Sequence, residues 1–176
     1  MPCVAAFAAG DLEAGTGSWF YYSGSGRWSR QEQDAAGLLA TDDASHPSVA
    51  WNEALGRFVM MRGGQSGRIV AQFATAPWGP WSDPIVVFSA ADQWWRRLMH
   101  RPGEDQMVQS LEPIYLRDGS RLQMPDTDPG VAYNPNLLHR YTANPDGSVT
   151  VYYTLSTWNP YQVFLMSSTF RVRRDR

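Results

Sequence analysis

The chain has 176 residues, enough for one ordinary domain and too few for two large ones. Charged residues make up 18% and aromatics 13%, with eight Trp, eight Tyr and seven Phe spread along the chain; this excludes intrinsic disorder, which needs few aromatics. The formal charge of −2 offers no basic surface for nucleic acid, and Arg171, Arg173 and Arg174 read as a solvated chain end.

One cysteine, Cys3, cannot form an internal disulfide. Residues 1–9 are apolar but short and lack a basic start, so they do not read as a signal peptide. No window approaches the roughly 18 apolar residues of a membrane helix. Helical signal is weak, because twelve Pro and fifteen Gly interrupt nearly every window. The best helical windows are residues 31–39 and 90–99. Strands are predicted over residues 19–23, 48–51, 57–62, 68–75, 85–88, 113–117, 137–142, 148–155 and 162–173. The first is an aromatic run, Trp19-Phe20-Tyr21-Tyr22-Ser23, bounded by Gly17 and Gly24. The second and third flank Asn52-Glu53-Ala54-Leu55-Gly56, a hairpin connection with Gly56 suited to positive φ. Asn144-Pro145-Asp146-Gly147 and Asn159-Pro160 carry turn chemistry between the last three strands.

Short strands and tight turns without alternating helices exclude a doubly wound α/β fold and leave sandwich, barrel or propeller. A loose internal repeat favours the propeller. One unit runs over residues 46–88 and a second over 133–172. Each has an aromatic-and-proline opening, a strand, a Gly turn, a second strand and a Trp/Pro corner. Their length is that of a propeller blade, roughly 40–50 residues. The chain therefore reads as one all-β domain over 1–176, with a blade-like unit at 19–90, a long connection at 91–130 and a C-terminal blade-like unit at 131–173. Two or three such units do not close a ring, which takes about four to eight blades.

Three stretches resemble one family. They are Phe20 to Trp28 (FYYSGSGRW), then Pro47-Ser48-Val49-Ala50-Trp51-Asn52 with Gly56 to Met60 and Ala76-Pro77-Trp78-Gly79-Pro80-Trp81, and Val151 to Val163 (VYYTLSTWNPYQV). In this order they are similar to the family catalogued as domain of unknown function 4185. That resemblance implies a five-bladed β-propeller, endo-D-arabinanase activity on cell-wall arabinan, and a distant likeness to glycoside hydrolase family 43. It also implies secretion or residence in the cell envelope, although without a signal peptide the cytoplasm stays open. The resemblance covers the back half of the family's domain, so the chain is expected to supply two to three of the five blades. It is then expected to be inactive alone, and to self-associate or meet a chain carrying the remaining blades.

Glycoside hydrolysis needs two carboxyl groups, one to protonate the leaving oxygen and one as nucleophile or base. In a propeller the loops leading into the innermost strands form one rim. Asp42, Asp43 and His46 precede one such strand, and Tyr133 and Asn134 precede the other. Asp42 and Asp43 are adjacent, so on an extended segment they point to opposite faces and cannot themselves be the pair. Asp43 and Glu112 are therefore the catalytic candidates, Glu112 from the long connection. His46, before Pro47, can bond a sugar hydroxyl or tune a carboxylate. Trp158, Asn159, Tyr161 and Gln162 combine a flat apolar face with amide donors and acceptors, which suits sugar rings and their hydroxyls. These seven residues, His46, Tyr133, Asn134, Trp158, Asn159, Tyr161 and Gln162, are the substrate-binding candidates. Trp78 and Trp81 read as packing residues, and Glu53 as an exposed turn residue.

No cofactor is implied. Glu104, Asp105, Asp126 and Asp128 offer the oxygen ligands that Ca²⁺ takes, but their spacing matches no loop signature. There is no nucleophile elbow, phosphate loop, dinucleotide fingerprint or zinc spacing. Two rivals to the enzyme stay open: a carbohydrate-binding module without the acid pair, and a structural propeller fragment.

Overall fold

The computed structural model describes residues 2–7, 18–39, 45–64, 67–89, 91–92, 114–115, 121–122, 132–157 and 162–171. It is all-β and antiparallel throughout. The first sheet joins β1 (Ala5–Ala6), β2 (Phe20–Gly24) and β3 (Arg27–Ser29). The second joins β4 (Ser45–Asn52), β5 (Arg57–Gly64), β6 (Arg68–Ala74) and β7 (Ile85–Ser89) in chain order. A short pair follows, β8 (Ile114–Tyr115) with β9 (Arg121–Leu122). The last sheet joins β10 (Ala132–Ala143), β11 (Val149–Thr157) and β12 (Gln162–Phe170). The stretch 19–90 thus contributes to two sheets. Among the described residues no helix is long and apolar enough to cross a membrane.

Local chemistry explains the turns. Between β4 and β5, Asn52 pairs with Arg57, and Gly56 takes φ 59°. The buried Asn52 carboxamide oxygen accepts the Leu55 N–H at 3.0 Å, which satisfies a backbone donor inside the turn. The window 31–39, predicted helical, forms only a 3-10 turn over Glu32–Asp34. That turn buries none of its residues, and a helix this short gains nothing without packing. The other helical window, 90–99, lies outside the described residues except at Ala91 and Asp92.

The second and last sheets pack face to face. Leu55, Val59, Met61 and Ala71 from one meet Leu137, Val149, Val151 and Tyr153 from the other. Ile69 and Phe88 meet Ala132 and Leu155 nearer one end, and Phe73 sets its ring edge-on to Phe170 with centroids 5.0 Å apart. β5 and β6 are buried almost without alternation, so the second sheet is covered on both faces. β12 instead alternates half-buried with exposed residues, so it lies at the outside with one face to solvent. Trp78, in the corner after β6, stacks on Tyr22 at 5.5 Å and meets Trp28 edge-on, joining the first sheet to the second.

The β10–β11 hairpin closes through Asp146. Its carboxylate accepts the Ser148 hydroxyl at 2.6 Å and the Ser148 N–H at 3.0 Å, and it pairs with Arg171 beyond β12. The Ser148 hydroxyl, then its N–H, then Arg171 pull the Asp146 pKa down to about 2 from 3.8. A lowered folded pKa gives stability that is present above the unfolded value and lost as pH falls through the folded one. Stability should therefore drop between about pH 4 and pH 2. Asp146→Asn should remove that component. Melting curves of both proteins across this range check it, and parallel pH profiles would count against the assignment.

Candidate functional site

The site begins with two matching irregularities. From Ser45 to Ser48, β4 takes three steps while its partner takes two, from Gly63 to Met61. From Tyr133 to Asn136, β10 does the same against Ser156 to Thr154. Each is a one-residue bulge. In both, the second residue has positive φ, His46 at 50° and Asn134 at 52°. In both, proline follows, Pro47 or Pro135. A left-handed non-glycine residue is uncommon, and a following proline disfavours it further. Such strain costs of order 1–3 kcal/mol and clusters at functional sites. Ser45-His46-Pro47-Ser48 and Tyr133-Asn134-Pro135-Asn136 thus share one local backbone pattern.

The two bulges lie together. β4 and β10 are the edge strands of their sheets, and they pack side by side. The Ser48 hydroxyl accepts the Leu137 N–H at 2.9 Å and donates to the Asn136 carboxamide oxygen at 3.2 Å. The His46 and Tyr133 rings meet edge-on, 5.9 Å apart. Since His46 meets Tyr133 and Ser48 meets Asn136 and Leu137, the strands run in the same direction here. Both bulges therefore sit at one rim. His46 and Asn134 are exposed, Tyr133 is half-buried and Pro135 is buried. The rim thus presents an imidazole and a carboxamide to solvent, held by a buried proline and a tyrosine ring.

Gly63 makes the β4 bulge possible. It faces Ser45, and a Cβ on Gly63 would overlap the Ser45 Oγ. A side chain there would push on the residue that leads into His46.

Gln162 stands at the same end of the last sheet. It pairs with Thr157, which pairs with Ala132, the residue before Tyr133. Directly opposed residues share a face, so Gln162 and Ala132 both point to the core side. The Gln162 Nε2 and Oε1 are buried and find no hydrogen-bond partner among the described residues.

Of the sequence candidates, His46, Tyr133 and Asn134 are brought together, and Gln162 lies across the same end. Asp43, Glu112, Trp158, Asn159 and Tyr161 lie outside the described residues, as do Asp42, Glu104, Asp105, Asp126 and Asp128. Among the described residues no three His, Cys, Asp or Glu side chains gather as a metal site would require. Ser48 and Asn136 escaped the sequence reading. The available signal was a small polar residue directly after each repeat's proline.

These features define an all-β protein of stacked antiparallel sheets, with a rim built from equivalent bulges on two edge strands. A family model described as domain of unknown function (DUF4185) matches residues 6–167, and the chain belongs to that family. No curated protein matches the chain.

Proposed function

We propose that the chain is a carbohydrate-active β-propeller domain that takes cell-wall arabinan at the rim shared by β4 and β10. The observation that carries this reading is the pair of strained bulges that bring His46, Tyr133 and Asn134 together. Imidazole and carboxamide exchange hydrogen bonds with sugar hydroxyls, and the tyrosine ring offers a face to sugar C–H groups. Sheets stacked face to face with edge strands side by side suit neighbouring blades of a propeller around an axis. The choice of arabinan rests on the family resemblance, as does action at the cell envelope.

Hydrolysis adds Asp43 and Glu112 as the carboxyl pair, which would have to stand about 5–10 Å apart across the sugar. Binding without hydrolysis is the second reading.

Affinity electrophoresis in gels containing arabinogalactan tests the proposal. The chain should be retarded, and His46→Ala with Asn134→Ala should weaken retention about tenfold or more, the scale of one or two lost hydrogen bonds. Unretarded wild-type protein, or equal retention of the variant, would sink it. Release of oligosaccharides that stops in Asp43→Asn while retention persists would favour hydrolysis over binding alone.

A further inference from the structure

A buried amide without a partner is an anomaly, because folded proteins pair nearly all of their buried polar groups. Two described side chains have this property, the Trp81 indole N–H and both polar atoms of Gln162. They differ in place. Trp81 follows the end of β6, away from the bulges. Gln162 starts β12, in the row Ala132–Thr157–Gln162 that borders Tyr133. It pairs with the buried Thr157, at the end of the core where Ile69, Phe88, Ala132 and Leu155 cluster. An apolar residue would suit that wall, since burying an unpaired amide is unfavourable.

We propose that Gln162 determines specificity at the carbohydrate rim, its amide reserved for a hydroxyl group that accepts from Nε2 and donates to Oε1. This rests on the carbohydrate reading above. A hydroxyl matches both atoms at once, which a carbonyl, a carboxylate or an ammonium group cannot. A site built around such an amide disfavours ligands that lack the hydroxyl, because binding them still leaves the amide unpaired. The hydroxyl can come from the sugar or from a buried water, and the two sources predict opposite results on substitution.

The discriminating substitution is Gln162→Met, which keeps an unbranched side chain of similar length and removes both polar atoms. If the sugar supplies the hydroxyl, the ligand-free variant loses an unfavourable buried amide. Its melting temperature should then rise by about 2–4 °C. Its retention by arabinogalactan should fall about ten- to hundredfold. If a structural water supplies it, the variant should melt lower with retention unchanged, which overturns the proposal. A higher melting temperature with unchanged retention also overturns it, because the amide then has no ligand. Wild-type protein that ignores arabinogalactan removes the carbohydrate reading itself and this proposal with it. Wild-type retention shared by Gln162→Met removes this proposal alone.

Discussion

Tyr153→Ala should destabilise the fold by about 3–5 kcal/mol, the usual cost of removing a fully buried aromatic. Tyr153 is completely buried on β11 and belongs to the cluster shared by the two packed sheets. Around it stand Val59 and Met61 from β5 and Leu137 from β10, so its ring fills the seam between layers. Neighbours on two sheets cannot both collapse into the space it leaves, which places the cost in the upper part of the range. Its hydroxyl matters less. It lies 3.4 Å from the Ser168 hydroxyl, a long contact, and burial raises its pKa despite that contact. Tyr153→Phe should accordingly cost about 1 kcal/mol or less. Urea denaturation of the three proteins separates the effects. A loss below about 1 kcal/mol for alanine would mean that the sheets do not share this core.

Gly63→Ala should be the most damaging one-carbon change near the rim. The added methyl group would overlap Ser45 Oγ, and Ser45 precedes the strained His46. Overpacking of this kind costs about 1–3 kcal/mol. Relief comes by turning the Ser45 hydroxyl to another rotamer or by shifting the Ser45 backbone, and a backbone shift would carry His46 with it. Loss of stability should therefore accompany loss of arabinogalactan retention. Ser45→Ala should rescue both. With Oγ gone, the nearest atoms to the new methyl are the Ser45 carbonyl oxygen at 3.4 Å and Cβ at 3.5 Å, close but tolerable. A double-mutant cycle reads the coupling directly, and a favourable interaction energy of about 1 kcal/mol or more is expected. Additive losses would show that the two residues do not press on each other.

Much of the fold was legible because its signals are local. Gly56 marks the β4–β5 turn, Asn144 to Gly147 marks the β10–β11 turn, and both appear where predicted. The strands β4–β7 fall between Ser45 and Ser89, and β10–β12 between Ala132 and Phe170. Residues 31–39 misled because helical composition is a weak signal when no face is buried. His46, Tyr133 and Asn134 stand out in the sequence as residues that lead into the inner strand of each unit. Their meeting was not legible, since it depends on β4 and β10 of two stacked sheets coming together across a long stretch of intervening chain. Ser48 shows the limit most clearly. A serine within a strand looks ordinary until its hydroxyl is seen bonding both the Asn136 side chain and the Leu137 backbone. The isolation of the Gln162 amide was equally hidden, because it is a property of the wall around it.

The most direct test of the rim is an amide chemical-shift titration of the labelled chain with soluble arabinogalactan fragments. The account predicts shifts concentrated at His46, Ser48, Tyr133, Asn134, Asn136 and Gln162, with the Asn144 to Ser148 turn unchanged at the other end of the sheet. Shifts confined to that turn, or none anywhere at saturating fragment, would contradict it.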